Sequence, residues 1–223
     1  MNRILISLFI TLGVSSNLYA GTPEGLAAAE RRDYKTAYVE FSEAAKNGDA
    51  EAAKNLGWMY QFGIGVKGDF AEAMRWYRIA ADAGNPVAQN NLGLMLKTGY
   101  GGKQNPIEAM KWFEKAVAQN HHEAKANIGF MYCNGEGIKQ DFEVCATWLR
   151  KAADEGVVQA QFGLAVLYIG GTGVAKDENE AKKWVAKAAA QGYPEAVTWL
   201  RIMSKESISE ASPNPSINTD AAR

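Results

Sequence analysis

Three features of this 223-residue chain have residue types and spacing that could do chemistry: a glycine-rich hexad, a histidine pair and two cysteines. Gly63-Ile64-Gly65-Val66-Lys67-Gly68 has the G-x-G-x-x-G spacing that cradles a dinucleotide pyrophosphate when a strand precedes it and a helix follows. Here a helical pattern precedes it. At each 36-residue step onward the third glycine becomes Gln104, Gln140 and Lys176, so the run reads as turn geometry. His121 and His122 are the only histidines, with Glu123 beside them. A metal ion needs ligands converging from several elements, whereas neighbouring positions diverge on a helix. This pair is expected in a solvated connection. With no nucleophile motif present, the reading is of a non-enzyme without cofactor or metal.

The elements that would carry these residues come from a repeat. Trp76, Trp112, Trp148 and Trp184 are 36 residues apart, as are Gly63, Gly99, Gly135 and Gly171. A constant period of this size is the mark of stacked supersecondary units. In one unit Ala52, Leu56, Met59 and Tyr60 fall on a single helical face, and Gly63 and Gly65 end that helix. A second helix opens at Asp69, Asn105, Asp141 and Asp177, with Glu72, Glu108 and Glu180 placed to complete a capping box in three of the four. Ala73, Trp76, Tyr77, Ala80 and Ala81 form its buried face. Gly48, Gly84, Gly156 and Gly192 close these second helices, with Asn120 in the remaining place. Connections this short force antiparallel neighbours. The fold class is therefore all-α, a solenoid of helix-turn-helix repeats.

Both ends depart from the pattern. Arg3 followed by Ile4–Val14 and Leu18-Tyr19-Ala20 reads as a secretory signal over residues 1–20, too short in its apolar core to span a bilayer. Residues 21–206 form the solenoid: a capping half-unit 21–49, repeats at about 50–85, 86–121, 122–157 and 158–193, and a capping helix 194–206. Glu40 stands where the tryptophan column would continue, and Arg201 stands where Gly57, Gly93, Gly129 and Ala165 stood. Both changes suit terminal units that face water. Residues 207–223 lack large apolar side chains apart from Ile208 and Ile217 and read as a disordered tail. With 24 Lys and Arg against 25 Asp and Glu, no electrostatic case exists for nucleic acid or an anionic membrane surface.

Folding a hairpin about Lys139 sets Cys133 opposite Cys145. In an oxidising compartment two such cysteines pair, and closing so short a loop contributes about 3 kcal/mol in the chain-entropy model. The alternative is two buried thiols acting as small apolar side chains.

The pattern L-G-x-M-Y-x-x-G-x-G-V, followed by D-x-x-x-A-x-x-W-Y-x-x-A-A-x-x-G, resembles the Sel-one-like repeat (SLR) family, a relative of the tetratricopeptide repeat. Local departures are Leu96, Gly102, Ala165 and Cys145. The resemblance implies a right-handed superhelix whose first helices line a concave, protein-binding surface, and it implies no active site. In the family's register the groove-facing residues are Lys54, Trp58 and Gln61, then Asn90, Leu94 and Lys97. Ala126, Phe130 and Cys133 follow, then Phe162, Val166 and Ile169. The middle column would be an apolar ridge, or else simple packing between first helices. The expected function is an exported, periplasmic, cofactor-free monomer binding a protein partner on its concave face, as an envelope scaffold or regulator. An immunity protein against a secreted toxic effector is the alternative, and an enzyme acting on a β-lactam or cell-wall substrate the last choice.

Overall fold

The computed structural model describes residues 22–210, with side chains through residue 202. The expected signal segment lies outside the described residues, as does the tail beyond Glu210. Among the described residues there are eleven α-helices and no strand. They are α1 Pro23–Glu30 and α2 Tyr34–Lys46, α3 Ala50–Phe62 and α4 Phe70–Asp82, α5 Pro86–Thr98 and α6 Pro106–Val117. Next come α7 His122–Asn134 and α8 Phe142–Asp154, α9 Val158–Gly170 and α10 Glu178–Ala190, then α11 Pro194–Glu210. The helix α11 extends four residues beyond the expected end at 206. Nothing in Ser204–Glu210 is a helix breaker, so the polarity of that stretch does not end the helix.

The chain divides into two compact units, with the boundary between Ala124 and Lys125 inside α7. In the first, α2 packs on α3, α3 on α4, α4 on α5 and α5 on α6. In the second, α8 packs on α9, α9 on α10 and α10 on α11. Each second helix presents a large side chain to a residue without bulk on its first helix. A Cβ on Gly57 would lie 2.6 Å from the Tyr77 ring, and one on Gly93 would lie 2.6 Å from the Phe113 ring. A Cβ on Gly129 would lie 2.9 Å from Leu149 Cδ2. In the last repeat Val185 is the counterpart of these large residues, and Ala165 replaces the glycine. Volume is conserved while shape changes.

The helix ends follow the expected chemistry with one correction. Asp69, Asn105, Asp141 and Asp177 accept backbone N–H bonds from the first turn of their helices. Their own N–H groups do not complete a capping box with the glutamates. They donate instead to the carbonyls of Tyr60, Leu96, Tyr132 and Tyr168, at 2.7–3.0 Å. The hairpin is thus pinned by a backbone bond between its two helices, which leaves Glu72 and Glu180 for Arg75 and Lys183. Asn120 takes the left-handed conformation, φ 62°, in place of the glycine used elsewhere.

The first helix of a repeat is tied to the end of its second helix by a side-chain device whose members differ in chemistry. Gln119 Nε2 donates to Gln89 Oε1 at 2.9 Å, and Gln191 donates to Gln161 at 2.8 Å. Gln89 and Gln161 are buried, and their amides in turn donate to the carbonyls of Ala81 and Ala153 in the preceding second helix. At the intervening position an ion pair replaces the amides, Lys125 Nζ to Glu155 at 2.5 Å. On the other side of the second helices cations cover the indole faces. Lys115 lies 3.7 Å from the Trp112 ring centroid, Lys151 4.7 Å from Trp148 and Lys187 3.9 Å from Trp184.

Candidate interaction surfaces

In the first unit α3 carries Lys54, Trp58 and Gln61, and α5 carries Asn90, Leu94 and Lys97. Lys54 and Asn90 are only 5% and 6% exposed. Lys54 Nζ pairs with Glu51 Oε2 at 2.5 Å, and Glu51 also accepts from the side-chain amide of the cap residue Asn85. A buried cation is retained only where it is paired. Both residues are therefore part of the packing and not of an exposed contact surface, contrary to the expectation. Gln61 is held from behind, accepting the Tyr77 hydroxyl at 2.7 Å. Trp58 is 43% exposed and stands against Phe62 one turn on, ring centroids 5.5 Å apart. Leu94 and Lys97 are half-buried beside them in sequence.

In the second unit Val166 is 43% exposed. Phe130, Phe162 and Ile169 are half-buried and pack against the apolar core of that unit. Phe130 lies so close to α9 that a Cβ on Gly163 would come within 3.0 Å of its ring. Its role is thus at least partly structural. Phe162 is held between Tyr193 and Trp199, with centroids at 5.3 and 5.5 Å.

Cys133 and Cys145 form a disulfide across the α7–α8 hairpin, Cα atoms 5.2 Å apart. Cys145 is fully buried in the column held by Ala73, Ala109 and Ala181 elsewhere. Cys133 is thereby spent on the bridge.

His121 departs from the expected solvated loop. Most of its side chain is buried, with Nδ1 3.3 Å from Glu123 Oε2. Burial pushes its imidazole below the ordinary histidine range; the Glu123 charge opposes this and His122 adds to it. Among the described residues no group of three His, Cys, Asp or Glu could hold a metal ion.

Two arrangements were not foreseen. Tyr38 and Tyr60 share a hydroxyl hydrogen bond at 2.9 Å, which together with burial raises Tyr60 to about 12. Phe70 and Tyr100 stack at 5.1 Å on the turn side of the first unit. Tyr100 lies between the paired glycines of its turn, a position where nothing in the repeat demands an aromatic, and that oddity was the available signal.

The Sel1 repeat profile matches residues 50–85, 86–121, 122–157 and 158–193, and the chain belongs to the Sel1 repeat family. A Sel1 repeat protein from Oxalobacter formigenes is 36% identical over 79% of this chain and 72% of its own, with a TM-score of 0.73. A protective antigen of uropathogenic Escherichia coli with an SLR fold is 30% identical, TM-score 0.72, over 83% of this chain. The alignment spans 41% of that longer protein. An immunity protein from Pseudomonas aeruginosa shares the fold at 21% identity and a TM-score of 0.54, covering 81% of this chain and 70% of its own. No curated protein sequence matches. No helix among the described residues is long and apolar enough to cross a membrane.

Proposed function

We propose that the chain is an exported, non-enzymatic interaction module that binds a protein partner through exposed apolar side chains on the first helices of its repeats. The observation that carries this reading is the exposure of Trp58, with Phe62 beside it, and of Val166 on the first helices of their repeats. A tryptophan left nearly half in water is the residue type that anchors interfaces. The disulfide is consistent with an oxidising compartment, and residues 1–20 supply the means of reaching it. Lys97 at the rim would steer association more than it would hold the complex.

A photo-crosslinking residue placed at Trp58 or Val166 in growing cells tests this directly. Discrete protein adducts are expected at both positions, and none at Val39, an exposed residue on the second helix α2. Equal labelling at all three positions would remove the first-helix face from consideration. Intact-mass measurement of the periplasmic protein is expected to show Gly21 as the first residue.

Immunity is the second reading, suggested by fold neighbours that carry that name. It requires that cells lacking this chain become sensitive to a toxic protein encoded beside it. Normal growth of such cells in the presence of the neighbour would end it.

A further inference from the structure

We propose that the turn side of the first unit is a second docking surface, built to accept a partner segment that sets a carboxylate beside an aromatic side chain. The proposal rests on the reading of the chain as a protein-binding module but concerns a different face from the one above. Phe70, at the start of α4, is 45% exposed and Tyr100 is 58% exposed, and the two rings lie nearly parallel, 16° between planes. This platform is rigid. A Cβ on Gly101 would overlap the Phe70 carbonyl, so the turn that carries Tyr100 lies directly on the α4 backbone. Gly102 also lies close to α4, since a Cβ there would come to 3.3 Å from the Met74 sulfur.

Met74 lies one turn beyond Phe70 and lines an open recess of about 500 Å³ with Leu96, Arg78, Lys103, Gln104 and Glu108. The recess is lined mainly by polar and charged side chains, Met74 and Leu96 being its apolar members, and its charge is uneven. Glu108 is fully committed: Oε1 accepts from Arg78 at 2.9 Å and Trp112 Nε1 at 3.3 Å, and Oε2 accepts from Asn105 at 3.0 Å. Burial alone would raise its carboxyl, yet the bonds from Arg78 and Trp112 hold it below the ordinary range. Arg78 gives Glu108 only one of its terminal nitrogens, and the rest of its planar fork suits a second carboxylate. Lys103 has no carboxylate partner among the described residues. The unmatched charge is positive, so an acidic side chain is the complement. The exposed ring pair beside it offers a flat face to an aromatic neighbour of that side chain.

Selection of a random displayed peptide library on the mature protein tests this. Enriched sequences are expected to pair Asp or Glu with an adjacent aromatic residue. The consensus peptide, made synthetically, should bind about tenfold more weakly to Tyr100→Ala and to Lys103→Glu, and should weaken with salt. It should bind Trp58→Ala as it binds the unaltered protein. Neither surface change touches the core, and unchanged melting of both variants would confirm that. No enrichment, enrichment of sequences without acidic residues, or binding that survives both changes would overturn the proposal. Loss of the same peptide with Trp58→Ala alone would also overturn it, while supporting the first-helix face. Self-association abolished by Tyr100→Ala would assign the surface to a second copy and equally defeat the proposal.

Discussion

The pairing of Gly93 with Phe113 makes opposite predictions for one methyl group. Gly93 lies inside α5, where alanine is favoured over glycine by about 1 kcal/mol through helix propensity. The added Cβ would meet Phe113 Cε1 at 2.6 Å, Cδ1 at 2.8 Å and Cζ at 3.0 Å. Ordinary contact requires about 3.5–4.0 Å, so a fully buried ring must move by roughly 1 Å. Overpacking of this kind costs about 1–3 kcal/mol. The net expectation for Gly93→Ala is a loss of about 0–2 kcal/mol, and the decisive quantity is its coupling to the ring. Phe113→Val alone leaves a cavity and should cost about 2–4 kcal/mol. Combined, the two changes restore the Ala165 and Val185 combination that the last repeat already uses. The double variant should therefore be more stable than the sum of the single losses by at least 1 kcal/mol. Gly129→Ala, facing Leu149 at 2.9 Å, should be milder than Gly93→Ala. Urea unfolding followed by circular dichroism measures all of these. A Gly93→Ala protein stabilised by the full propensity gain, with strict additivity in the double variant, would refute the reasoning.

The disulfide should leave no thiol for a maleimide in denatured, unreduced protein, and replacing both cysteines by serine should cost about 3 kcal/mol from loop closure over a separation of 12 residues. Lys125→Gln should destabilise by about 1–2 kcal/mol because Glu155 loses its bond to Lys125, and adding Glu155→Gln should recover part of that loss, as the native Gln161–Gln191 pair does its work without charge. For His121 the folded value is lowered by burial. The unfolded chain therefore takes up its proton first, below the reference value of 6.5. Stability then falls as pH drops through that value toward the depressed one, and His121→Asn should flatten that part of the profile in denaturation curves taken across it.

The repeat was legible because packing imposes the same demand every 36 residues, and Ala52, Ala88, Ala124 and Ala160 are all fully buried as a result. The cysteine bridge was legible for a related reason: a fixed hairpin register makes two sequence positions into spatial neighbours. Burial of Lys54 and Asn90 was not. The helical face places both outward, and only the Glu51–Asn85 bridge explains how the lysine is sheltered there. The capping glutamates misled because the sequence spacing of a capping box is satisfied, while the acceptor that wins the N–H belongs to the preceding helix. His121 was misplaced because a connection between repeats is short but need not be wet. Gln89–Gln119 and Lys125–Glu155 lie 30 residues apart in both cases. That spacing conveys nothing until two helices are known to meet there.

The central claim is that Trp58 serves binding more than folding, and one paired measurement addresses it. Trp58→Ala is compared with the unaltered protein for affinity toward the partner identified by crosslinking, and for urea unfolding. Because the indole is already 43% exposed, the account predicts a loss of binding of about 2 kcal/mol or more with stability changed by less than about 1 kcal/mol. Undiminished affinity, or a loss of stability large enough to account for the loss of binding, would contradict it.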